Sequence, residues 1–193
     1  MGNRIKGGLI APKSGTSESK LRDDLEIPEE GVHQALCTGI VDLGTHSESF
    51  QGGPPKDKRK VMLIHEFPEI KQLVYEDDTE KRTYIKYDEM SFSLYKSKFL
   101  KVITALNNGK YTDEEMKEID LFDFIGNRLI LGIVHTNKTK DGKPVTYANI
   151  ESYSRVGKRP PPENFESDGN RYMFAIDEDG ENFTTDNFAE LPE

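Results

Sequence analysis

The sequence contains no tryptophan, a single cysteine and no long apolar run. Because Cys37 has no second cysteine to pair with, an internal disulfide is excluded and a reducing cytoplasm is the expected location. The longest apolar run covers only residues 129–134, far short of the roughly 20 residues that a membrane-spanning helix needs. The first residues also lack the apolar segment of a signal peptide. These absences predict an intracellular protein without a membrane partner.

Charge is distributed unevenly along the chain, which has 35 acidic and 26 basic residues and a formal net charge of −9. Residues 161–193 contain ten acidic residues and a single basic one, so residues 1–160 are neutral overall. Residues 1–30 are rich in glycine, serine and charged side chains, which is typical of a flexible segment. The composition therefore predicts a flexible N-terminal arm (1–30), one folded domain (31–160) and an acidic C-terminal tail (161–193).

Hydrophobic periodicity predicts a mainly β domain with one long helical segment. Alternation of apolar and polar residues predicts five strands, which cover residues 32–43, 61–67, 84–95, 128–136 and 145–156. Phe99, Val102, Ile103 and Leu106 form one apolar face of a helix, and a capping box at Thr112 and Glu115 predicts a second helical piece. Three strands, a helix and two strands form the order of a five-stranded OB-fold Greek-key barrel, with its helical insertion between strands 3 and 4.

Basic and aromatic residues are concentrated where such a barrel binds its ligand. Two predicted loops, between strands 1 and 2 and between strands 4 and 5, carry Lys58, Arg59, Lys60, Lys138, Lys140 and Lys143. Further basic and aromatic candidates follow the strands: His65, Tyr84, Lys86, Tyr87, Tyr95, Lys96, Tyr147, Tyr153 and Arg155. Cations for phosphates and flat rings for unpaired bases are what single-stranded nucleic acid requires. The ordinary alternative is that these are common strand tyrosines and solvated lysines.

Motifs for catalysis are weak in this sequence. Glu69 and Lys71 match the end of a nuclease-type metal site, but Pro68 interrupts the strand that such a site needs. There is no phosphate-binding G-x-x-x-x-G-K-[ST] loop and no H-E-x-x-H zinc motif. No catalytic residue, metal or cofactor is therefore predicted.

Five stretches between residues 34 and 156 share a spaced pattern with a known family: QALCTGIVDLGTHSESFQGG, RKVMLIHEFPEI, TYIKYDEMSFSLYKSKFL, IDLFDFIGNRLILGIVH and GKPVTYANIESYSRV. In these stretches the chain resembles the single-stranded-DNA-binding replication proteins of tailed bacteriophages. The resemblance implies an OB-fold core and an acidic tail that contacts other replication proteins and competes with DNA. Phe188, Leu191 and Pro192 look similar to the tip of such a tail, although Glu193 rather than an aromatic residue ends the chain.

Residues and resemblance together predict a non-catalytic protein that binds single-stranded DNA without sequence specificity. It would act in phage DNA replication or recombination in the host cytoplasm and recruit replication or recombination proteins through the acidic tail. Formation of a homo-oligomer stays open. The alternatives are an RNA- or protein-binding module on the same barrel and, more remotely, a metal-dependent nuclease that uses Glu69 and Lys71.

Overall fold

The computed structural model describes residues 25–49, 53–112, 114, 115, 118–140, 142–163, 165–167, 169 and 172–174. Most of the predicted arm (1–24) and the end of the predicted tail (175–193) lie outside these described residues. The described elements are β1 (Gly31–Glu48), β2 (Lys56–Gln72), β3 (Arg82–Ser91), α1 (Lys98–Leu106), a 3-10 helix (Leu121–Phe124), β4 (Arg128–Lys140), β5 (Lys143–Arg155) and β6 (Tyr172–Phe174). The predicted mainly β class is confirmed.

The strands β1 to β5 form one antiparallel sheet in the order β3-β2-β1-β4-β5. Residues 31–36 of β1 pair with β4, whereas residues 36–48 pair with β2. Beyond the contact with β4, residues 39–41 of β1 pair in parallel with β6, which lies inside the segment predicted as the tail. Within the described residues no ladder joins β3 to β5, so the sheet is open.

Alternation along β2 separates two apolar faces. Val61, Leu63 and Phe67 belong to the main core, whereas Met62 and Ile64 pack in a smaller cluster on the opposite face. The predicted end of this strand at residue 67 is wrong because β2 continues to Gln72. An irregularity in the pairing with β3, after Phe67, accommodates Pro68, which has no N–H to donate to a ladder.

The helix α1 covers the main core with the predicted apolar face. Its first turn is capped by the Ser97 hydroxyl, which accepts a hydrogen bond from the Leu100 backbone N–H at 3.0 Å. The buried side chains are Phe99, Val102, Ile103, Ala105 and Leu106. Burying a large aliphatic or aromatic side chain stabilises the fold by about 1.5–3 kcal/mol. None of the described helices is long and apolar enough to cross a membrane.

The predicted capping box after α1 forms, since the Thr112 N–H donates to Glu115 at 2.7 Å and the Glu115 N–H donates to the Thr112 hydroxyl at 3.2 Å. No second α-helix follows it in the described part of this connection, from which residues 113, 116 and 117 are excluded. The next regular element is the 3-10 helix, which Asp120 caps by accepting from the Phe122 N–H at 2.9 Å. A local cap therefore forms without the longer helix that it predicts.

Side chains, rather than a ladder, join β3 to β5. Asp88 of β3 accepts hydrogen bonds from the Tyr153 hydroxyl of β5 and from the Lys98 ammonium at the start of α1. Asp88 is only 6% exposed, and burial together with this carboxylate raises the pKa of Tyr153. His65 of β2 lies beside the same carboxylate, with its Nε2 atom 3.9 Å from Asp88 Oδ2. One buried acceptor thus connects three elements of the fold.

Candidate nucleic-acid interface

The first basic cluster lies on a strand rather than in the predicted loop. The strands β1 and β2 stay paired as far as Glu48 and Lys56, so Lys58, Arg59 and Lys60 belong to β2. Strand alternation places Lys58 and Lys60 on one face of the sheet and Arg59 on the other. Lys58 also lies 3.4 Å from a Glu48 carboxylate oxygen. The three cations therefore do not act as one cluster.

Carboxylates neutralise much of the charge of this first cluster. Arg59 lies 2.5 Å from Asp42, and Lys60 lies 2.5 Å from Glu48 and 2.6 Å from Glu89. The hydrogen bonds with Glu48 and Glu89 raise the pKa of Lys60, and the hydrogen bond from Lys60 lowers the pKa of Glu48. A phosphate would have to displace these carboxylates before it could use the cations.

The second basic cluster lies at the tip of the β4–β5 hairpin. The ladder extends to the pair Lys140 and Lys143, so the predicted turn is shorter than residues 137–143. Lys138 and Lys140 are exposed, and no carboxylate of the described residues forms an ion pair with either. The Lys138 ammonium lies 5.9 Å from the ring centroid of Tyr147. Lys143 is the first residue of β5, and the structure describes its backbone but not its side chain. This hairpin presents cations that are available to phosphates.

A second pairing of a cation with an aromatic ring follows β3. The predicted third strand extends to residue 95, whereas β3 ends at Ser91, so Tyr95 and Lys96 lie in the loop that leads to α1. Tyr95 is 75% exposed, and the Lys96 ammonium lies 5.2 Å from its ring centroid. Phe92, which directly follows β3, is 38% exposed, and the Arg59 guanidinium carbon lies 5.8 Å from its ring centroid. This loop offers an open aromatic surface beside a lysine.

Three candidates, His65, Tyr84 and Lys86, lie on the core-facing side of β2 and β3, where the first two are buried and Lys86 is half-buried. His65 and Tyr84 are 0% and 5% exposed, and the Tyr84 ring packs edge-on against Phe67 with centroids 5.6 Å apart. Burial raises the pKa of Tyr84 and lowers that of Lys86, on which Asp88 has the opposite effect. These side chains alternate along β2 and β3 in phase with core residues, which explains their position. None of them offers a ring face or a fully solvated cation.

The remaining candidates are divided between different sides of the sheet. Tyr87 packs on the face opposite the main core, against the small cluster that contains Val41 and Ile64. Tyr153 is half-buried and bonded to Asp88, whereas Arg155 is exposed at the end of β5. The structure therefore leaves two groups that combine an exposed lysine with a tyrosine ring, one at the exposed Tyr95 and one at the half-buried Tyr147.

Comparison of the chain with protein-family models, with curated proteins and with solved structures found no match. Glu69 and Lys71, the pair weighed for a nuclease, are exposed and lie inside β2, so the predicted interruption of this strand at Pro68 is wrong. Within the ranges that the structure describes, no group of three histidine, cysteine, aspartate or glutamate side chains could hold a metal ion. The candidate site therefore consists of the exposed lysines and the tyrosine rings beside them.

Proposed function

We propose that this protein is a non-catalytic OB-fold protein that binds single-stranded DNA with little sequence preference. The observation that carries the proposal is the repeated pairing of an available lysine with a tyrosine ring, Lys96 with Tyr95 and Lys138 with Tyr147. Unpaired bases stack on such rings while the adjacent cation attracts the phosphates. Duplex DNA keeps its base faces stacked inside the helix, so this arrangement favours single strands.

The strand order supports an OB-type barrel. An OB-fold is a five-stranded, partly open Greek-key barrel, and it binds oligonucleotides on the face of strands 2 and 3 and on the loops between strands 1 and 2 and strands 4 and 5. The order β3-β2-β1-β4-β5, with α1 between β3 and β4, fits that barrel opened between its third and fifth strands. The hydrogen bond from Tyr153 to Asp88 bridges those two strands. A side-chain contact would thus take the place of the missing ladder.

Within the proposed surface the cations differ in availability. Lys138, Lys140 and Lys143 at the hairpin tip would contact phosphates first, together with Lys96. Lys58 and Lys60 would join only after releasing Glu48 and Glu89, which lowers their net contribution. Tyr95 and Tyr147 would receive the bases. Arg59 would stay with Asp42 on the other face of the sheet.

The acidic residues of the C-terminal segment would serve protein partners rather than DNA. Residues 175–193 lie outside the described structure, and in sequence they hold seven acidic residues and no basic one. Such a segment repels phosphates and attracts basic protein surfaces. We propose that it recruits replication or recombination proteins during phage DNA metabolism in the host cytoplasm.

Replacing Tyr95 by alanine should weaken the binding of a labelled oligothymidylate by about 5- to 150-fold, since one base–aromatic stack contributes about 1–3 kcal/mol. Fluorescence anisotropy of the wild type and the variant at one salt concentration measures the change. The matched control is Tyr95→Phe, which keeps the ring and should bind within about twofold of the wild type. Because Tyr95 is 75% exposed, neither variant should alter the fold. Wild-type affinity in Tyr95→Ala would exclude this loop from the binding surface.

A further inference from the structure

A cavity of about 490 Å³ opens between the distal half of β1, the first half of β2 and the 3-10 helix. Its apolar walls are formed by Ile40, Val61, Phe92, Ile119, Leu121 and Phe122. Cavities that bind ligands in proteins have volumes of about 300–1,000 Å³ and mostly apolar walls. The cavity is therefore large enough to receive several side chains of a peptide.

The charge around this cavity is negative. Arg59 and Asp42 line it as a bonded pair, with Arg59 Nε and Nη2 at 3.1 and 2.5 Å from Asp42 Oδ2, so their charges cancel. Among the described residues that line the cavity, the other charged ones are Glu118 and Asp120, and both are acidic. Acidic walls repel phosphates, which separates this cavity from the nucleic-acid surface. They favour an occupant that is both apolar and basic.

The N-terminal segment of this chain has that chemistry. Residues 1–13 contain three basic side chains, Arg4, Lys6 and Lys13, and the first acidic residue in the sequence is Glu18. Aliphatic residues alternate with these cations, at Ile5, Leu9 and Ile10. The two other long undescribed stretches are not basic: residues 14–24 hold two basic and three acidic residues, and residues 175–193 hold seven acidic residues and no basic one.

The chain is also long enough for its own N-terminal segment to reach the cavity. Ile10 lies 15 residues before Leu25, and Ile40 of the cavity wall lies 15 residues after it. An extended segment of that length spans about 50 Å, and the path from Leu25 to Ile40 cannot be longer than that. We propose that residues 1–13 dock in the cavity of the same chain, with the aliphatic side chains inside and the basic ones beside Glu118 and Asp120.

Zero-length carbodiimide crosslinking of the full-length chain tests this docking, because the reagent joins a lysine amine only to a carboxylate in contact with it. The expected product links Lys6 to Glu118 and is identified by mass spectrometry of the digested protein. Its yield should not depend on protein concentration, since both groups belong to one chain. Absence of the product, or a product found only between two chains, would overturn the proposal.

Charge reversal supplies the matched variants. Glu118→Lys should lower docking, measured by crosslinks from residues 1–13 to Asp120, about five- to tenfold, because one attraction becomes a repulsion. Combining Glu118→Lys with Lys6→Glu should restore the link between positions 6 and 118. The control is Glu114→Lys, which makes the same charge change at an exposed residue that does not line the cavity. Equal losses in Glu114→Lys and Glu118→Lys, or no recovery in the exchanged pair, would overturn the docking.

Discussion

Replacing His65 by leucine should raise the free energy of unfolding by about 1–3 kcal/mol at pH 7, because a buried polar group without a partner costs that much. The imidazole is fully buried, and neither ring nitrogen has a hydrogen-bond partner in the structure as described. Its strand neighbours on the same face, Leu63 and Phe67, belong to the apolar core, so leucine fits the surroundings. Denaturant unfolding followed by circular dichroism measures the difference.

The same substitution should remove a loss of stability in acid. Burial lowers the pKa of His65 from 6.5 to about 4, with Asp88 opposing this shift and Lys98 adding to it. The unfolded chain therefore takes up a proton near pH 6.5, and the folded chain does so only near pH 4. Stability present above pH 6.5 is lost as the pH falls towards 4, by about 3 kcal/mol in total. His65→Leu lacks this loss, because leucine takes up no proton.

His46→Leu is the matched control, because His46 is exposed and its replacement removes no buried group. Its free energy of unfolding at pH 7 should stay within about 0.5 kcal/mol of the wild type. Two results would contradict this account and show that the imidazole makes a stabilising contact. One is a His65→Leu protein that is less stable than the wild type at pH 7. The other is a His65→Leu protein that loses as much stability as the wild type between pH 7 and pH 4.

Replacing Lys138, Lys140 and Lys143 together by alanine should flatten the dependence of DNA affinity on salt. Each phosphate contact on a single strand contributes about 0.7 to the slope of log affinity against log salt, so the slope should fall by about two units. That change corresponds to about 100-fold weaker binding at 0.1 M salt. The double variant Lys58→Ala/Lys60→Ala should reduce the slope by less than about one unit, because these two lysines already form ion pairs with Glu48 and Glu89.

Anisotropy titrations of a labelled oligothymidylate across a range of salt concentrations measure these slopes. A matched triple variant, with alanine at the exposed residues Lys81, Lys101 and Lys110, changes the net charge equally and lies outside the proposed surface. Its slope should equal that of the wild type. If both triple variants flatten the slope alike, overall charge rather than the hairpin controls binding, and the proposed surface is wrong.

Sequence periodicity predicts an element when the residues of that element alone determine which of its side chains are buried. The spacing of Phe99, Val102, Ile103 and Leu106 is enough to predict α1, because one helix face must be apolar to cover the core. Strand ends are harder to predict because they depend on partners. The extension of β2 beyond Pro68 requires an irregularity opposite β3; Pro68 is compatible with a strand end and with such an irregularity, and only the pairing with β3 decides between them.

The side chains of the candidate site differ in the same way: some positions follow from local alternation, and others depend on strand partners. The alternation of β3 indicates that Tyr84 shares a face with Met90, so the burial of Tyr84 was readable from the sequence. The neutralisation of Lys60 was not readable, because the positions of Glu48 and Glu89 beside it depend on the register of three strands. Basic clusters can thus be located from sequence, but their availability to phosphates depends on tertiary contacts.

The most direct measurement of single-stranded DNA binding is a competition titration. A labelled oligothymidylate bound to the full-length protein at about 0.1 M salt is displaced by unlabelled single-stranded DNA, duplex DNA or RNA of equal length. Single-stranded DNA should compete at a concentration at least about tenfold below that of duplex DNA, because a duplex hides the base faces that would stack on Tyr95 and Tyr147. Equal competition by duplex DNA, stronger competition by RNA, or no binding of the labelled strand would contradict the proposed function.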